Sequence, residues 1–151
     1  MFKKIILIVL VALIAIQFIQ PAHNTSNQVL ATDITKIYRV PDSVQSLLKT
    51  ACYDCHSNNT MYPWYSRIQP GAWFMANHVK NGKADLNFSE FGSYSLRKQH
   101  HKLKSIADEV EEGDMPVASY KLLHANARLT KDEQLLLINW ARKMQDTLTA
   151  K

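Results

Sequence analysis

The sequence predicts an all-α domain behind a short apolar N-terminal helix. Three observations carry that expectation. Apolar side chains recur at i, i+3, i+4 and i+7 in separate segments, the stripe that one buried face of a helix requires. No convincing strand pattern and no internal repeat is present. Glycine and proline are scarce, 4 and 5 in 151 residues, too few for a turn-rich β-sandwich.

The chain opens Met1-Phe2-Lys3-Lys4 and continues as an apolar run from Ile5 to Ile19, broken only by Gln17. A basic start ahead of an apolar run is how an export signal begins. The run is about 15 residues, roughly 23 Å as a helix, against about 30 Å of bilayer hydrocarbon. Phe2, the residues up to Ala22 and snorkelling lysines could close that gap. No small-x-small cleavage site stands out around Gln20-Pro21-Ala22-His23. Residues 1–22 therefore read as an uncleaved membrane anchor, with a cleaved signal peptide as the alternative. In both cases Lys3 and Lys4 stay in the cytoplasm and the remainder reaches the periplasm.

Residues 23–39 are polar, without a clear period, and read as a tether. A domain over residues 40–147 follows. Pro41-Asp42 opens a helix whose Val44, Leu47, Leu48 and Ala51 form one stripe running into Cys52. Ser57 to Gln69 is expected to be irregular, and Ala72 to Lys80 to form a short helix stopped near Asn81-Gly82. Residues 83–95 read as a loop with spaced aromatic anchors. Leu103, Ile106, Ala107 and Val110 repeat the helical stripe, which Gly113 ends. Thr130-x-x-Glu133 is a capping box opening a last helix with Leu136, Leu137, Trp140, Ala141 and Met144.

Composition narrows the function. Eighteen basic and thirteen acidic residues give +5, short of a nucleic-acid footprint. Two cysteines exclude a disulfide-dense scaffold or an all-cysteine cluster. No phosphate loop, carboxylate pair or Ser/His/Asp set is recognisable, so no catalytic residues are assigned and no enzyme activity is expected.

Cys52-Tyr53-Asp54-Cys55-His56 is the most informative stretch. A thioredoxin-like redox pair belongs at a helix start in a βαβ setting, whereas here a helical stripe precedes the first thiol. A structural zinc needs about four ligands, and only three are at hand. A disulfide across so small a loop stabilises little. Haem uses every residue: both thiols bond its vinyl groups and the adjoining imidazole takes the iron. Export is the condition for that attachment, and the N-terminus meets it.

The chain then resembles class I c-type cytochromes. The resemblance implies a cytochrome c-like helical domain wrapped around one covalent haem c. Cys52 and Cys55 would be its attachment points, His56 its proximal ligand and Met115, within Gly113-Asp114-Met115-Pro116, its distal one. More closely, His56-Ser57-Asn58, Tyr62-Pro63-Trp64-Tyr65, Asn77-His78-Val79 and Leu86-Asn87-Phe88 are similar to small bacterial haem-binding domain proteins. That likeness covers residues from about 40 to 147. His78 rivals Met115 as distal ligand. Trp64, Tyr65 and Arg67 are expected to wall the porphyrin, with Arg67 meeting its propionates. His100 and His101 read as solvated. Lys98, Lys102 and Lys104 read either as steering an acidic redox partner or as a solvated face.

A second protein ligand makes iron an electron carrier, whereas an empty face admits small molecules. The leading expectation is periplasmic one-electron transfer between partner proteins. The alternative is a haem-based sensor with an open or labile distal site. Peroxidase chemistry of the two-haem kind would need a second attachment motif, and only one exists.

Overall fold

The structure, a computed structural model, describes residues 1–149. It is helical, with no strand among the described residues beyond one isolated bridge between Thr25 and Asn59. The helices are α1 (Phe2–Ile16), α2 (Ile34–Ile37), α3 (Asp42–Ala51), α4 (Tyr53–His56), α5 (Gly71–Asp85), α6 (Leu96–Glu112), α7 (Ala118–Leu123) and α8 (Lys131–Thr149). Tight 3-10 turns at Trp64–Arg67, Phe88–Ser93 and Ala125–Ala127 fill the connections.

The core forms where the stripes predict. Val44 and Leu48 of α3, Leu103, Ile106, Ala107 and Val110 of α6, and Leu137, Trp140 and Ala141 of α8 are buried in one cluster. Three stripe residues depart from this: Leu47 and Met144 are only half-buried, and Leu136 is exposed while Ile138 takes its place inside. Helices α6 and α8 pack along each other, and α8 also touches α3. Phe88 and Phe91 anchor the 86–95 connection in that core, so the aromatic loop residues do hold it down. The ends obey local rules. The Ser95 hydroxyl caps α6 through Lys98 N–H, and Gly113 leaves α6 at φ +81, which suits glycine. At α8, Thr130 N–H donates to Glu133 Oε2 at 2.8 Å while Glu133 N–H donates back to Thr130 Oγ1.

Two segments differ from expectation. Residues 23–39 do not hang free. The Asn24 amide donates to Ser57 O and Thr60 Oγ1, and the Thr32 hydroxyl to Ser89 O. Ile34, in α2, is fully buried in the main core. Side-chain amides and hydroxyls hold this strap, and such bonding leaves no hydrophobic period to read. Helix α1 ends at Ile16 and buries no residue. Among the described residues no helix is long and apolar enough to cross a membrane.

Candidate haem site

The stripe of α3 fixes where the motif sits. With Val44, Leu48 and Ala51 turned into the core, Cys52 lands at the helix end, its N–H bonded to Leu48 O at 2.9 Å. Cys55 and His56 then donate their N–H groups back to Cys52 O, closing one tight turn. The two thiols and the imidazole therefore issue from a single helical turn. Neither cysteine is in a disulfide. Burial pushes the Cys52 thiol up to about 12, with a smaller push from Cys55. Burial and Asp54 raise Cys55 to about 11. A reactive dithiol is tuned the opposite way. Among the described residues no three His, Cys, Asp or Glu side chains gather as a metal-ion site, which leaves zinc without a ligand set.

A cavity of about 350 Å³ is lined by Cys52, Cys55, His56, His78 and Met115, with Gly82, Pro116 and Tyr120. A second, of about 220 Å³, shares Cys52, His56, Asp85, Met115 and Pro116 and extends to Phe88, Ile106 and Val110. Both are within reach of sizes typical of cofactor clefts when taken together. His56 is oriented across them. Its Nδ1 lies 3.0 Å from Leu86 O, and a carbonyl only accepts, so the ring proton sits on Nδ1 and Nε2 is left with its lone pair. A metal-binding imidazole needs this tautomer, with its other nitrogen donating to a carbonyl.

Helix α5 presses on the motif from the other side. A Cβ on Gly82 would lie 2.7 Å from Cys55 O and 3.2 Å from Cys55 C. Glycine here permits a close approach and does not end the helix, which runs on to Asp85 rather than stopping near residue 81. Leu86, the residue that caps α5, supplies the carbonyl to His56.

Met115 and His78 both face the larger cavity. His78 Nδ1 is 3.0 Å from Phe74 O, a contact that in the neutral ring leaves the lone pair on Nε2. Of these two, Met115 lines both cavities alongside His56, and His78 lines the larger one. The aromatic wall expected from Trp64, Tyr65 and Arg67 is a correction. Trp64 and Arg67 are exposed and line neither cavity, because the 3-10 turn over 64–67 buries Ser66 instead. Tyr65 lines an adjoining apolar space of about 160 Å³ that meets the site at Cys55, His78 and Tyr120. On α6, His101 and Lys102 line the smaller cavity. The Lys102 side chain is only 13% exposed and pairs with Asp85 at 2.7 Å, while Lys98 rests on the Tyr94 ring and Lys104 pairs with Asp108.

One part of the site escaped the sequence. The Tyr120 hydroxyl donates to Asp54 Oδ2 at 2.7 Å, and Asp54 Oδ1 accepts from Met61 N–H at 2.9 Å. Burial, reinforced by that bond to Asp54, holds the Tyr120 phenol well above its ordinary pKa. Tyr120 stacks on His124, whose Nε2 is 2.8 Å from the Tyr65 hydroxyl. Nothing in the spacing links residue 54 to residue 120; only the fold does.

Two thiols, an imidazole with its lone pair presented and a thioether, around apolar space, form a donor set that fits a haem. No curated protein and no solved structure matches the chain. The family model described as the haem-binding domain matches residues 11–143, taking in the last six residues of α1, the strap and the helices as far as residue 143 in α8. A match over most of the chain shows that the protein belongs to the haem-binding domain family.

Proposed function

We propose that this haem-binding domain is a monohaem c-type cytochrome, anchored at the outer face of the inner membrane, that passes single electrons between partner proteins. Cys52 and Cys55 would hold the macrocycle through thioethers, with His56 as the proximal and Met115 as the distal donor. Haem, when bound, supplies a one-electron iron couple. The observation that supports this reading is the His56–Leu86 hydrogen bond, which engages Nδ1, in a ring that lines one cavity with both thiols and Met115.

The chain's own residues do the rest. Leu86 O keeps the imidazole in one tautomer and strengthens it as a donor. Phe88, Ile106 and Val110 exclude water from one side, which favours the less charged state of a buried iron. Pro116 limits the backbone freedom of the loop carrying Met115. A thioether is a neutral, soft ligand and favours reduced iron relative to a second imidazole.

His78 is the second reading for the distal position, supported by its place on the same cavity with Nδ1 engaged by Phe74 O. The test uses protein made with working haem-attachment machinery. Denatured chain should carry the mass of one haem, and its oxidised spectrum should be low-spin with the weak far-red band of a sulfur ligand. Met115→Ala should lose that band and let the reduced protein take up carbon monoxide, while His78→Ala leaves both unchanged. The opposite pattern gives the iron to His78. Colourless protein at the bare polypeptide mass ends the proposal.

A further inference from the structure

Helix α1 is apolar from Ile5 onward, buries nothing in the domain and, at 15 residues, spans about 22 Å, some 8 Å less than a hydrocarbon core. Its exit is fastened to the domain. Gln69 N–H donates to Gln17 Oε1 at 2.9 Å, and Gln17 Nε2 donates back to Gln69 O. Ile19 O accepts from Gln69 Nε2 at 2.7 Å and from the Trp73 indole N–H at 3.0 Å. Gln20 Nε2 donates to Arg67 O. Gln69, the hub of this set, is only 4% exposed. Wherever Ile19 lies, the 67–73 stretch lies beside it.

That same stretch is conspicuously greasy. Trp64 is 77% exposed, Phe74 59%, Ile68 49% and Trp73 39%, next to Phe18 and Ile19, themselves exposed. The exposed cation among them is Arg67. Leaving such side chains in water forfeits about 25 cal/mol per Å² of the area they could bury.

We propose that residues 64–74 form a lipid-docking face: with α1 in the bilayer, Trp64, Ile68, Trp73 and Phe74 settle into the headgroup layer where α1 emerges. This rests on the anchored reading of α1. Indole rings favour that layer, having an apolar body and one polar N–H, and the Trp73 N–H is already satisfied by Ile19 O. An Arg beside them reaches phosphate oxygens while its stem stays in the apolar layer. The face also makes up for the short helix, because the apolar surface continues past its end instead of giving way to water.

Site-directed spin labelling tests this on the full, haem-loaded chain, one molecule per nanodisc of phosphatidylethanolamine and phosphatidylglycerol. With Cys52 and Cys55 consumed by haem, an introduced cysteine is the sole free thiol. Labels go on Leu7→Cys in α1, Trp64→Cys and Ile68→Cys on the face, and Leu135→Cys on exposed α8. The Leu7 label should report hydrocarbon. The Trp64 and Ile68 labels should collide with a nickel chelate several-fold less, and with oxygen more, than the Leu135 label. If Leu7 is in hydrocarbon while both face labels match Leu135, the docking face is wrong and the anchor stands. A water-exposed Leu7 label, or a chain lacking its first residues by mass, overturns the anchor and the face together. Spin–spin broadening at Trp64 that grows with the number of chains per disc would assign the face to a second copy and overturn the lipid assignment.

Discussion

Replacing Gly82 by Ala puts the closest contact in the site under direct test. The added methyl would meet the Cys55 carbonyl oxygen at 2.7 Å and its carbon at 3.2 Å. Both are backbone atoms of the motif turn and cannot swing aside as a side-chain end would. Alanine inside a helix gains about 1 kcal/mol over glycine, while overpacking costs about 1–3 kcal/mol. With rigid atoms in the way the cost falls toward the upper end, leaving a net loss of about 1–2 kcal/mol. That corresponds to about 3–8 °C in Tm. Displacement of Cys55 also reaches His56 and should lower the fraction of chains carrying haem. Gly71→Ala is the matched control, since a Cβ there meets nothing within 4 Å at the start of the same helix. Thermal unfolding and the haem-loaded fraction by intact mass should show Gly82→Ala impaired and Gly71→Ala unchanged or slightly stabilised. Two variants indistinguishable in both measurements would refute the close-approach argument.

Tyr120→Phe removes a hydrogen bond to a carboxylate and should cost about 1–2 kcal/mol by denaturant titration; no change would mean that Asp54 finds water instead. Ile34→Ala should cost about 2–4 kcal/mol, the range for emptying a closed core position, whereas a free tether would show nothing. Glu133 is held below its ordinary pKa of 4.5 by the Thr130 backbone N–H and hydroxyl. A depressed carboxyl contributes stability above its unfolded pKa and loses it as pH falls through the folded value. The stability gap between the protein and Glu133→Gln should therefore be present at neutral pH and close on acidification past that carboxyl range.

The motif and the helices of the core were legible because both rest on local spacing. Leu48 and Ala51 had to be inside for α3 to exist as an amphipathic helix, and Cys52 follows them by position alone. Trp64 and Arg67 were misjudged for the opposite reason: nearness in sequence to the motif says nothing about which way a 3-10 turn faces. Gly82 reads from sequence as a stop, since a helix end and a tight contact both call for glycine. The strap was invisible because its hold comes from Asn24, Thr32 and a lone Ile34. The Asp54–Tyr120 pair joins residues that no local rule connects.

Helix α5 touches, among other partners, the exit of α1 through Trp73, Cys55 through Gly82 and, just past its end, the His56 ring through Leu86. A rod about 22 Å long, gripped at both ends, behaves as a lever and not as a spring. If α1 lies in the membrane as proposed, a detergent micelle and a flat bilayer would load its outer end differently, and the His56 ring is where that load would arrive. Under the proposed function, midpoint potentials in detergent and in lipid discs should therefore be measured separately.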